Sequence, residues 1–203
     1  MILSATAAVR VGCERMNVSD MLERHVGQDL ESVSRAFLHA LDEGRWMDAA
    51  ALVDPRTREA LQAWSVEHIR TSAGTPPFTG PSDTRFFSAS EVLGLRSEAE
   101  AACLTSTSFL ARFAEGVSPA NFLRMTERTA AKEVRIIRTF LDATHTVPDR
   151  ATVRYRAEWW HGDQLDEAVG GIHSLELVLR SDGWRVRDAD LSGQGGGHIL
   201  PPQ

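Results

Sequence analysis

Cysteine, lysine and tyrosine are scarce: the chain has two cysteines, one lysine and one tyrosine among 203 residues. Cys13 and Cys103 stand far apart with no CxxC spacing, so neither a disulfide framework nor a zinc site is indicated, and a reducing, cytoplasmic compartment is the expectation. Lys132 follows alanine rather than glycine, which excludes a Gly-Lys phosphate loop. No apolar run reaches the ~18 residues of a membrane span. The N-terminal MILSATAAVRVGC lacks a charged leading segment and carries Arg10 inside its apolar stretch, so residues 1–28 read as a leader, partly disordered or helical, and not as a signal peptide. Basic residues occur singly and the formal charge is -6, which argues against nucleic acid or membrane as a partner. GxSxG, HExxH and Cys-His signatures are absent, and the closing GQGGGHILPPQ, a flexible tail over 193–203, holds no intact GxGxxG ahead of a helix. No cofactor and no metal are expected.

What is present is periodicity. Leu30, Val33, Phe37, Leu38 and Leu41 recur at helical spacing up to Gly44, and Trp46 to Val53 continues the pattern. Asp54-Pro55 reads as a cap and first residue of the next helix, through Leu61, Trp64 and Ile69. Gly74 to Asp83 is rich in glycine and proline and reads as a mobile loop, a candidate lid; Ser88 to Arg128 looks helical again. After Lys132 the period changes to two. Strands are expected at Val134 to Thr146, Ala151 to Trp160, Ile172 to Arg180 and Trp184 to Leu191, with tight turns at Pro148-Asp149 and Asp182-Gly183. Helices first and a meander second predict an α+β domain over 29–192, its N-terminal helices packed on a curled antiparallel sheet.

Two segments, SRAFLHALDEGRWMDAAALVDP and HSLELVLRSDGWRVRDADL, together resemble the nuclear transport factor 2-like superfamily, the cone fold of SnoaL-like and ketosteroid-isomerase-like proteins. The resemblance covers about Asp29 to Leu191, with a middle segment longer and more helical than is usual. It implies a pocket inside the cone and dimerisation through the outer sheet face, and it does not imply catalysis.

In Ala151 to Trp160 the positions Val153, Tyr155, Ala157 and Trp159 share one face, so Trp159 points inward and its neighbour Trp160 outward. A two-residue turn at Pro148-Asp149 would set Asp142 opposite Tyr155, Phe140 opposite Ala157 and Arg138 opposite Trp159. Asp142 and Tyr155 then become the candidate catalytic pair, with Arg138, Phe140, Trp159 and Asp188, facing Leu177 at the pocket mouth, as ligand-binding candidates. Two alternatives stay open: a plain Arg138–Asp142 salt bridge, or a bulge turning both outward. His161, Asp163 and His173 flank the second hairpin and read as solvated turn residues rather than zinc ligands. On the outer face Ile137 and Trp160 interrupt a mixed-charge surface, which fits a homodimer contact. The functional expectation is a non-catalytic cone protein binding a small apolar molecule or a protein partner; the alternative is a cofactor-free isomerase, cyclase or dehydratase.

Overall fold

The computed structural model describes residues 29–71, 98–118, 134–191 and 199. Asp29 opens the first helix, α1 (Leu30–Asp42), by accepting the Ser32 amide at 2.7 Å, which satisfies one of the amides a helix start leaves without a partner. Leu30, Val33, Phe37, Leu38 and Leu41 form its buried face, while Arg35 and Glu31 pair one turn apart on the exposed one. The helix stops where Gly44 turns left-handed (φ 66°) and the Arg45 amide reaches back to the Ala40 carbonyl at 2.8 Å.

The short α2 (Trp46–Leu52) buries its alanines, and Val53 leaves it extended to form a parallel bridge with Val186. Pro55 then starts α3 (Pro55–Thr71). The Asp54 carboxylate, which the sequence suggests as a helix cap, is gripped by Arg180 through contacts of 2.9 and 2.8 Å. Within the long helical stretch expected after Ser88, two helices are described, α4 (Glu98–Cys103) and α5 (Ser106–Gly116). Thr105 separates them by capping α5, accepting the Ser108 amide at 3.1 Å. Gln62 of α3 secures the break by donating to the carbonyls of Ala101 and Leu104, each at 3.0 Å. Gly74 to Asp83, the 1–28 leader and the 193–203 tail apart from Ile199 lie outside the described residues.

The four strands β1 (Val134–Val147), β2 (Arg150–His161), β3 (Gln164–Arg180) and β4 (Gly183–Ala189) pair antiparallel in sequence order. β3 begins at Gln164 and not at Ile172, because Gly162 takes a positive φ of 63° and turns the chain directly back. Residues 167–170 then bulge away from Glu158, which hides the alternation in the sequence. A Cβ at Gly170 would lie 3.0 Å from the Ala157 carbonyl oxygen, so any other residue there would press on β2.

One face of the sheet carries Val153, Tyr155, Ala157, Trp159, Leu175, Leu177 and Val186 into a core shared with Phe37, Phe109 and Phe113 of the helices. The architecture is therefore α+β, with helices on one face of a curled antiparallel sheet. No described helix is long and apolar enough to cross a membrane.

Candidate functional site

The Pro148-Asp149 turn pairs Val147 with Arg150, but β1 then bulges twice, between His145 and Val147 and again between Phe140 and Asp142. Each bulge reverses which side chains face the helices, so the second cancels the first. Ile136 lies opposite Trp159, Arg138 opposite Ala157 and Phe140 opposite Tyr155, all on the inner face. The stretch between the bulges is turned over.

Asp142 consequently stands opposite Arg154 on the outer face, where the two side chains form an ion pair with 44% and 58% exposure. Its contact with the Arg154 guanidinium holds the Asp142 carboxyl below the usual carboxylate range. This corrects the expected Asp142–Tyr155 pair and the Arg138–Asp142 salt bridge together. The cause is the two extra residues in β1, which the turn sequence does not reveal. Asp142 and Phe140 do share an open groove of about 610 Å³ at the rim between α1 and β1, where Arg35 lies 4.4 Å from the centre of the Phe140 ring.

Arg138 has a different partner. Asp42, the last residue of α1, takes its guanidinium at 2.7 Å and its backbone amide at 2.8 Å, and Arg138 also reaches the Leu191 carbonyl at 3.3 Å. The Arg138 side chain is 4% exposed. Burial raises the Asp42 pKa and Arg138 offsets part of that rise.

Beside this pair the buried Tyr155 hydroxyl donates to the Asp190 carbonyl at 3.3 Å, and burial pushes its pKa up to about 12. His173, opposite Tyr155 on β3, stacks on its ring with centroids 5.6 Å apart, and its Nδ1 lies 3.8 Å from the Asp190 carboxylate. Arg138 Nε and His173 Nε2 are both buried without a hydrogen-bond partner. Trp159 also points inward, with its indole nitrogen buried and unpartnered.

Asp42, His173 and Asp190 thus complete an inner-face cluster in which the sequence indicates only Arg138, Tyr155 and Trp159. Asp42 closes a helix far from the strands, and the register of β3 depends on the hidden bulge at 167–170; neither leaves a motif. His173 is opposite Tyr155 and away from the Gly162–Asp163 turn, so it does not group with His161 and Asp163. His161 instead contacts Asp166 at 3.3 Å. Among the described residues no group of three or more His, Cys, Asp or Glu side chains is placed to hold a metal ion.

Asp188 pairs across the ladder with Glu176, not Leu177, because a further bulge follows, and its carboxylate accepts the Ile199 amide at 3.1 Å. It holds Ile199, which corrects its expected place at a pocket mouth.

No protein-family model matches the chain, and no curated protein is significantly similar to it. A structure search finds a protein from Thiobacillus denitrificans, provisionally described as a calcium/calmodulin-dependent protein kinase type II association domain. It is 10% identical, with 79% of this chain and 91% of that chain covered at a TM-score of 0.36.

Proposed function

We propose that the chain is a binding protein of the nuclear transport factor 2-like cone class, which holds one small organic molecule against the inner face of its sheet. The observation that carries this reading is the pair of buried, unpartnered nitrogens, Arg138 Nε and His173 Nε2, on the two strands that flank Tyr155. Buried polar groups are normally satisfied, and a guest oxygen is one way to satisfy these. The guest would be neutral: Asp42 already neutralises Arg138, and Asp190 adds a further carboxylate, so an anion would enter an acidic setting. Trp159 and Tyr155, both packed in the core, border the cluster with apolar ring surface.

Titrating the full chain with phenol and, separately, with benzoate tests the reading through the NMR signals of the His173 imidazole. The expected result is a saturable shift with phenol and none with benzoate. No response to phenol defeats it.

The alternative of a cofactor-free isomerase, cyclase or dehydratase would have to use His173, oriented by Asp190 and assisted by the Tyr155 hydroxyl, since Asp142 is turned outward. A second, compatible reading is a homodimer through the outer sheet face, favoured by the 60% exposure of Ile172 on the face that also carries Ile137 and Trp160.

A further inference from the structure

Outside the inner-face cluster, two arginines are buried together at the junction of α3 with β4. The parallel bridge from Val53 to Val186, and the Asp54 amide donating to the Val186 carbonyl at 2.7 Å, pin the first turn of α3 against β4. One turn into α3, Arg58 is 5% exposed, and Arg185, next to Val186, is 1% exposed. Arg58 donates one nitrogen to the Ala50 carbonyl at 2.9 Å, and Arg185 gives one to Asp182 at 2.6 Å. Arg58 Nε and Arg185 Nη1 are nonetheless buried with no partner.

The acids nearby leave both of these nitrogens without a partner. Asp54 is engaged at two points by Arg180, and the Asp182 side chain is 46% exposed, as a hairpin residue facing water. Arg180 also has Asp149 within electrostatic reach, whereas Arg58 bonds to a carbonyl and to no carboxylate. Asp54 and the exposed Glu59 act on Arg58 only through space, and solvent weakens the attraction of Glu59. Burial lowers the Arg58 pKa, and the Arg185 charge lowers it further. The positive end of the α3 dipole adds to the positive potential at Arg58.

We propose that this junction binds a small oxyanion, a carboxylate or a phosphate, whose oxygens accept from Arg58 Nε and Arg185 Nη1. A planar guanidinium suits two-oxygen acceptors of this kind, and an anion between two buried like charges relieves their repulsion and supplies both missing partners at once. Arg180, with 32% of its side chain exposed, marks the rim by which the anion enters. The inner-face cluster, with its two aspartates beside one arginine, has the opposite charge preference. The two sites therefore fail or succeed separately.

The test is thermal unfolding of the full chain in sodium phosphate, sodium acetate and sodium chloride at matched ionic strength. A bound anion raises the melting temperature saturably, whereas screening alone acts equally in all three salts. A saturable rise in phosphate only identifies a phosphate site; in acetate only, a carboxylate site; in both, a general oxyanion site. Arg58→Gln should weaken the apparent affinity roughly tenfold or more, as loss of a charged hydrogen bond predicts. Titration calorimetry of the unaltered chain with inorganic phosphate and with acetate gives the same answer should Arg58→Gln not fold. Equal behaviour in the three salts together with no calorimetric binding overturns the proposal, as does an Arg58→Gln affinity equal to that of the unaltered chain.

Discussion

Asp42 ends α1 by holding both the guanidinium and the backbone amide of Arg138, at 2.7 and 2.8 Å, so that one carboxylate joins the first helix to the first strand. The Arg138 side chain is almost wholly buried, and Asp42 is the acid it pairs with. Removing the carboxylate leaves an uncompensated charge inside the protein. Asp42→Ala should therefore destabilise the fold by about 3 kcal/mol, read as a fall in the urea midpoint. Asp142→Asn, which alters only an exposed ion pair with Arg154, should leave that midpoint and the response to phenol unchanged. The opposite ranking would restore Asp142 as the important acid.

The same two carboxylates should titrate in opposite directions. Burial raises the Asp42 pKa above its ordinary value of 3.8, while the Arg154 contact lowers that of Asp142. A raised folded-state pKa means that the native state binds the proton more readily than the unfolded chain. The Asp42 contribution is then fully present below 3.8 and is lost as pH rises through its raised value. For Asp142 the sign reverses: its contribution is present above 3.8 and is lost as pH falls through its lowered value. Carboxyl carbon shifts followed by NMR should show Asp42 protonating first as acid is added. If Asp142 protonates first, the placement of both is wrong.

Much of the fold could be read from the chain because helix and strand periods and turn residues are local properties. The α1 stripe from Leu30 to Leu41, the helix end near Gly44 and the inward set Val153, Tyr155, Ala157 and Trp159 all follow from spacing. The site was only half legible. Its geometry depends on extra residues in β1 and on the bulge at 167–170, where a single insertion reverses every later side chain without changing composition. Arg138 keeps the face that the turn predicts because two bulges cancel, while Asp142, lying between them, does not. Asp42 and Asp190 reach the cluster through tertiary packing alone.

Tyr155 offers a direct check, since it is the only tyrosine in the chain and its phenolate absorbance needs no assignment. Burial pushes its pKa up from 10.0 to about 12. The contribution is complete below the unfolded value of 10.0 and is lost as pH rises through about 12, so Tyr155 favours unfolding in strong alkali. The native protein should show almost no phenolate near pH 10.0, and Tyr155→Phe should flatten the alkaline fall in stability. Ordinary ionisation near 10.0 in the folded chain would mean that the ring is open to water.

Asp54 and Arg180 tie the start of α3 to the end of β3 through two contacts, of 2.9 and 2.8 Å. The Asp54 side chain is 4% exposed and that of Arg180 32%, so water screens only one partner. Asp54→Ala should cost about 2 to 3 kcal/mol, less than a fully buried pair because Arg180 can turn to solvent. Arg180→Ala, which strands the buried acid, should cost at least as much. Urea midpoints of the two variants and of the double variant measure the coupling, and additive losses would show that the pair contributes nothing as a pair.

The outer face of the sheet presents Ile172 at 60% exposure, Ile137 at 39%, Leu141 at 38% and Leu165 at 37%, with Trp160 half-buried among them under Arg135. Four strands ~4.8 Å apart and about 12 residues long span roughly 700 Å². That is close to the ~800 Å² each partner contributes to a stable complex. The face also carries both signs of charge, Arg154 and Arg156 against Glu158 and Glu176, so a two-fold axis through it can set unlike charges together. A second copy of the chain is the occupant this favours. Ile172→Glu is the cleanest test, because Ile172 is already open to water in the monomer and the new carboxylate costs little there, while at the contact it is buried without a partner. Trp160→Glu should act in the same direction but with some loss of monomer stability, since that ring is already partly packed. Sedimentation velocity should show a dimer for the unaltered chain and a folded monomer for Ile172→Glu. A monomer for the unaltered chain at all accessible concentrations would rule out the dimer and leave the exposed isoleucine without an explanation.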